Sequence, residues 1–181
     1  MTKVIITGPE SSGKTTLAKN LSKSLNLNLV NEYARIFINE NNNLYDYEDL
    51  LKIAKGQYKR EMLFKDENFC LCDTDLITIM IWSKFKFNKC DNWIINKIIE
   101  QKNEKRIYLL CKPDIKWEYD PQRESEFKRD EIYDVYLNEI KNGDNRIIIY
   151  NGIIEKNILT RYPPKGDFIA NLANGGMYEI K

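Results

Sequence analysis

Short apolar runs alternate with amphipathic stretches along most of this chain. Lys3–Thr7 (KVIIT) is a β-branched run that stops at Gly8, which predicts a buried strand. From Lys14 to Leu25, leucines recur at 17, 21 and 25, the spacing of one helix face. Asn28–Val30 predicts a second, short strand ending at Asn31-Glu32. Residues 33–41 carry a weaker helical pattern, broken by Asn41-Asn42-Asn43. Asp46–Lys65 predicts a longer helix, with Leu50, Ile53, Ala54 and Tyr58 on one face. After Asn68, Phe69–Cys72 predicts a third strand, closed by Asp73-Thr74-Asp75. Leu76–Phe87 reads as a largely apolar helix and Asn92–Lys102 as another. Arg106–Cys111 predicts a fourth strand, Asp130–Lys141 a helix and Arg146–Tyr150 a fifth strand that ends at Asn151-Gly152. Between them, Pro113–Arg129 is charged and irregular. Arg161–Lys181, with Pro163-Pro164 and Gly175-Gly176, reads as an extended tail or an edge strand.

Strands separated by helices imply a sheet covered on both faces. The expected fold is a three-layer α/β/α domain over residues 1–160, with a mostly parallel five-stranded sheet and a tail at 161–181. Such sheets bind ligands at the carboxyl ends of their strands. Those ends are Gly8 onward, Asn31-Glu32, Asp73-Thr74-Asp75, Lys112-Pro113 and Asn151.

Composition narrows the chemistry. The 181 residues include no histidine, which removes Ser-His-Asp, Cys-His and His-ligated metal mechanisms together. A general base here is most simply a carboxylate. With 28 basic and 27 acidic residues, the net charge of +1 does not suggest a nucleic-acid binder. The four cysteines, 70, 72, 90 and 111, form no C-x-x-C pair, so free thiols in a reducing cytoplasm are expected. The longest uncharged apolar stretch, Leu76–Ser83, is far short of the roughly 20 residues that span a bilayer, so no membrane association is expected. A homo-oligomer remains open.

Gly8-Pro9-Glu10-Ser11-Ser12-Gly13-Lys14-Thr15 fits G-x-x-x-x-G-K-[ST], placed between a predicted strand and a predicted helix. Backbone N–H groups of such a loop turn inward around phosphate oxygens, where a Cβ would obstruct them. Lys14 would reach the β- and γ-phosphates of ATP, and the Thr15 hydroxyl would ligate Mg²⁺; Thr16 follows on the same turn. Asp73, at the end of an apolar strand, stands where a metal-holding carboxylate belongs, and it shares with Glu32 the candidacy for proton acceptor. It could instead cap the following helix, a role for which Thr74 and Asp75 compete. Glu32 closes the second strand and could take a proton from an attacking hydroxyl or grip a sugar. It could equally be a solvated residue in the first turn of a helix. Arg35 could pair with it. Pro113–Arg129 falls where small kinases carry an arginine-bearing lid, and its Arg123 and Arg129 suit the charge of a transferring phosphoryl group. A solvated loop would have the same composition.

GPESSGKTTLAKNL, NEYAR, QYKRE, CDTDLIT with IWS, and YLLCKPDIKWEYDPQRE together resemble the bacterial nicotinamide riboside kinase family, also found as the kinase half of bifunctional NAD-biosynthesis proteins. The likeness runs from about residue 3 to 152. It implies transfer of phosphate from ATP-Mg to the ribosyl 5′-hydroxyl of nicotinamide riboside. It also implies Lys14 and Thr15 at the nucleotide and metal, Glu32, Asp73 and Asp75 at ribose and metal, and Arg123 and Arg129 acting from the lid. Tyr33 or Trp117 would stack on the cationic ring, near the acidic EYAR, DTD and WEYD segments, the last containing Asp120. The same likeness draws Gln57 and Glu61 toward the site. No adenylyltransferase segment precedes the strand at Lys3, so the mononucleotide would be the end product. The alternatives are a kinase of another nucleoside or nucleotide, and an ATP-binding regulatory module without catalysis.

Overall fold

The computed structural model describes residues 2–142 and the backbone of residues 146–150. The expected tail at 161–181, Asn151 and the rest of 151–160 lie outside the described residues. In chain order the elements are β1 (Thr2–Thr7), α1 (Lys14–Leu25), β2 (Leu29–Val30), α2 (Tyr33–Glu40), α3 (Tyr47–Met62), β3 (Phe69–Asp73), α4 (Leu76–Phe87), α5 (Asn92–Gln101), β4 (Lys105–Cys111), a 3₁₀ turn at Glu126–Lys128, α6 (Arg129–Asn142) and β5 (Arg146–Tyr150). The predicted strands and helices are all present.

The five strands form one sheet in the order β2-β3-β1-β4-β5, with every described pairing parallel. Alternation along the strands divides the core. Val4, Ile6 and Leu71 face α1 through Leu17 and Ala18. Ile5, Cys70 and Cys72 face the opposite way, into a larger cluster with Ile53 and Ala54 of α3, Leu76 and Met80 of α4, Ile94 of α5 and Tyr136 of α6. Burying the strands on both faces is what their unbroken apolar sequence requires. α4 is apolar nearly all round and correspondingly buried, with Leu76 through Ile81 all at most 6% exposed.

Two local devices fix elements near the site. Asp46 and Asp49 form a reciprocal capping box at the start of α3, with N···O distances of 3.0 and 3.2 Å. Asn26 ends α1 in the left-handed conformation that commonly closes helices. The register sets Ile6 of β1 beside Asp73 of β3, so the carboxyl ends of the two central strands lie together. All four cysteines are free, and Cys70, Cys72 and Cys111 are buried. Among the described residues, no helix is long and apolar enough to cross a membrane.

Candidate active site

The loop between β1 and α1 curls because of its glycines. Gly8 has φ of +135°, and a Cβ there would lie 2.5 Å from the Cys111 carbonyl oxygen of the neighbouring strand. Gly13 (φ +81°) is the N-cap of α1 and offers no side chain to the first N–H groups of the helix. Those donors are left facing a cleft, where the helix dipole favours an anion. The Ser12 hydroxyl closes the loop on itself, donating to the Pro9 carbonyl at 2.7 Å, and Lys14 Nζ donates to the same oxygen at 2.6 Å. The cleft, about 250 Å³, is lined by Gly8, Glu10 and every residue from Ser11 to Thr16.

Two carboxylates approach this loop from neighbouring strand ends. Asp73 is 2% exposed, with the Thr15 hydroxyl beside it, and its Oδ1 has no protein partner. Burial raises its pKa, against the pull of Thr15 and Lys14. A buried, unpartnered carboxylate oxygen beside a threonine hydroxyl fits a small, hard cation such as Mg²⁺. No cluster of three or more acidic, Cys or His ligands exists among the described residues. Mg²⁺ is commonly held by one or two protein oxygens, its shell completed by phosphates and waters.

Glu32 is the N-cap residue of α2, yet its side chain makes no capping bond. It stands at the cleft wall near Arg35, at 4.0 Å. Burial, then repulsion from Asp73, pushes its pKa up, against Lys14 and Arg35. The sign follows from linkage: ionised Glu32 is less comfortable folded than unfolded. Its cost to stability is fully present above the raised pKa and vanishes below the ordinary carboxylate range. Glu32→Gln is therefore expected to melt at a higher temperature than the parent at pH 7, with the gain gone below about pH 4, in thermal melts across pH. An equal or lower melting temperature at pH 7 would contradict the raised pKa.

Asp75, expected at the ribose, points elsewhere. Thr74 adopts φ of +69°, which turns the chain between the two aspartates. Asp75 then caps α4, its Oδ1 accepting from Ile77 N at 3.0 Å. Its Oδ2 accepts from Tyr108 Oη at 2.7 Å and from Arg106 Nη1 at 3.2 Å. It is fully engaged in a buried charge cluster and does not line the cleft. The capping role left open between Asp73, Thr74 and Asp75 falls to Asp75.

The segment 113–129 lies folded onto the phosphate loop. Glu10 accepts from the backbone N–H groups of Glu124 and Ser125, both at 3.0 Å, and is a latch for this segment. Ser11 Oγ accepts from Glu118 N at 3.1 Å. Arg129, the first residue of α6, donates to the carbonyls of Ser11 and Ile115 at 3.1 and 3.0 Å. Arg123 lines the cleft, near Asp120 at 3.8 Å. Asp120 also receives Arg35 at 2.9 Å, so the pair bridges α2 and the lid segment.

Two aromatic residues expected to stack on substrate are occupied otherwise. The Trp117 ring packs between Arg123 and Arg129, 6.0 and 5.7 Å from their guanidinium carbons. The Tyr33 ring lies on Gly56 and under Arg60. Neither ring, nor Asp120, lines the cleft, whereas Glu32, Arg35 and Gln57 do. The inner wall instead comes from Tyr45, Trp82 and Tyr136, with Ile38, Leu50, Ile53 and Ile79. None of these is among the site residues expected from the sequence. The one available signal was the i, i+4 spacing of Thr78 and Trp82 just after a strand-end carboxylate, which aims both at one side of α4.

Comparison with known proteins agrees with this geometry at the level of fold. Residues 3–156 match a family described as AAA domain, and the chain belongs to that family. A NadR protein solved in complex with NR superposes with a TM-score of 0.70 and 21% identity over 82% of this chain. The chain spans 43% of that structure's length. The deoxyadenosine kinase from M. mycoides with bound dATP superposes with a TM-score of 0.51 and 13% identity, covering 83% of this chain and 91% of the kinase. A local stretch of 44 residues, 24% of this chain and 14% of the relative, is 48% identical to a glutathione synthetase of Coxiella burnetii.

Proposed function

We propose that this AAA-domain family member is an ATP-dependent kinase that phosphorylates the ribosyl 5′-hydroxyl of nicotinamide riboside, giving nicotinamide mononucleotide. The observation that carries the reading is the meeting of Glu32 and Lys14 at one cleft whose inner wall is aromatic, with the buried, unpartnered Asp73 carboxylate directly behind it at the end of β3. The motifs resembling the nicotinamide riboside kinase family support it, as does the fold shared with a NadR protein bound to NR.

In this reading the backbone N–H groups of residues 11–15 and Lys14 hold the phosphates of ATP. Thr15 and Asp73 hold Mg²⁺, which when bound neutralises charge on the phosphates. Glu32 accepts the proton of the attacking hydroxyl; its raised pKa makes it a better base than an ordinary glutamate, provided the pH is high enough to ionise it. Arg123 and Arg129 serve from the lid, Arg123 in the cleft and Arg129 by fastening lid to loop. Gln57, Arg35 and the aromatic wall shape the nucleoside side. The chemistry asks for positioning and electrostatics more than covalent work.

Incubation with ATP, Mg²⁺ and nicotinamide riboside, followed by mass spectrometry, is expected to yield the mononucleotide and ADP in equal amounts. A kcat/KM higher for a neutral deoxynucleoside would overturn the substrate, in favour of the reading suggested by the deoxyadenosine kinase fold. Asp73→Asn is expected to lower kcat about 100-fold and raise the Mg²⁺ concentration needed for half-maximal rate. An unchanged Mg²⁺ dependence would remove Asp73 from the metal.

A further inference from the structure

Glu32 sits at a helix N-terminus, where a carboxylate would ordinarily fold back onto the free N–H groups of its own helix. Its side chain makes no such bond, and the first N–H of the helix is met by another residue. Gln57, 1% exposed on α3, accepts from Tyr33 N, the first N–H of α2, with Oε1 at 2.8 Å. Its Nε2 faces the Thr74 carbonyl at 3.5 Å, on the turn that follows Asp73. One buried amide thus touches both turns that carry the site carboxylates. A carboxylate could not serve both, since it lacks the donor that the Thr74 carbonyl meets.

A second feature brings α2 within reach. Gly56 precedes Gln57 in the interior of α3, where glycine is unfavourable by about 1 kcal/mol relative to alanine. The Tyr33 ring occupies the space its side chain would take: a Cβ at Gly56 would lie 2.0 Å from Tyr33 Cε1. Gly56 therefore admits the ring of the same residue whose N–H Gln57 caps.

We propose that Gln57 is a positioning residue: by joining the first N–H of α2 to the Thr74 turn, with Gly56 admitting Tyr33, it fixes the backbone that carries the Glu32 carboxylate into the cleft against the turn that follows Asp73. This rests on the reading of Glu32 as proton acceptor. Replacing the amide by an apolar group leaves the Tyr33 N–H and the Thr74 carbonyl unmet and frees the two turns to shift, which displaces the Glu32 carboxylate from the substrate side.

The test is a double-mutant cycle on kcat, with Gln57→Leu, Glu32→Gln and the pair. Gln57→Leu is expected to lower kcat about tenfold with KM for ATP within twofold. In the Glu32→Gln background the same change should cost less than twofold, because the group it acts through is gone. Gly56→Ala, which favours the helix but displaces Tyr33, should show the same non-additivity. Equal losses in both backgrounds would overturn the proposal and leave Gln57 a packing residue. A Glu32→Gln enzyme with the parent's kcat would overturn the proton-acceptor reading itself, and this inference with it. Hydrogen exchange supplies a readout free of turnover. The Tyr33 amide should exchange at least tenfold faster in Gln57→Leu while β1 amides keep their protection; unchanged exchange at Tyr33 would overturn the cap whatever the enzyme's substrate proves to be.

Discussion

Lys14→Ala is expected to reduce phosphoryl transfer by about a thousandfold or more while leaving the fold intact. The two halves of that expectation have separate causes. Lys14 Nζ makes one hydrogen bond, to the Pro9 carbonyl of its own loop, and holds no core element in place. Its loss should therefore move the melting temperature little. For the reaction it supplies a cation at the cleft, beside the helix N-terminus and opposite Glu32, Asp73 and Glu10, whose pKa values it pulls down. Removing it takes charge from the phosphates and also makes those carboxylates harder to ionise. ADP release measured alongside a thermal melt separates the two. Activity within tenfold of the parent would place the phosphates elsewhere.

The second large effect is on stability. Arg106, on β4, is buried among Asp75, Glu61 and Glu104; Nη2 reaches Glu61 at 2.7 Å and Glu104 at 2.9 Å. Lys3 joins the cluster from β1, 3.0 Å from Glu61 and 2.8 Å from Glu104. Burial alone would strip the proton from a cation, but the surrounding carboxylates hold Arg106 firmly charged. Burial likewise pushes the Asp75 carboxyl up, and Arg106 opposes it. Arg106→Met keeps the bulk and removes the charge, leaving Asp75 and Glu61 buried with less compensation. The expected cost is about 3–5 kcal/mol, or a melting temperature lower by roughly 10 °C. Adding Asp75→Asn and Glu61→Gln to Arg106→Met should recover part of it, since the stranded charges go too. A melt unchanged from the parent would mean that the cluster relaxes or takes up water without cost.

These two expectations divide between what residue order conveys and what it does not. Gly8–Thr16 could be read directly, because a phosphate loop is contiguous and its geometry follows from its own glycines. Asp73 could be read from its position at the end of FCLC. Asp75 could not. Two residues apart in a strand means the same face, but a left-handed Thr74 intervenes, and the Thr74 N–H is instead taken by the Ile6 carbonyl of β1 at 3.0 Å. That bond belongs to the sheet, and nothing in CDTDL announces it. Tyr33 and Trp117 were read as free aromatic faces, yet both are covered by arginines and a glycine that are distant in sequence or in the loop's own fold. Tyr136 belongs to the core and also reaches the cleft, and the half-buried Trp82 lines the cleft from α4. Apolar periodicity says that a residue is covered, not by what.

The sequence by itself determined the order of strands and helices, the phosphate loop, and, through the absence of histidine, that no imidazole does acid–base work. Each of these is local: it depends on residues within a turn or a strand of one another. Only the tertiary structure decided which residues face the cleft, what holds them there and what lines the wall away from the phosphate loop. Those outcomes depend on pairs such as Gln57 with Tyr33, Arg106 with Asp75 and Arg35 with Asp120. A buried polar group must find its partner wherever packing brings one, and packing joins residues that the chain keeps far apart.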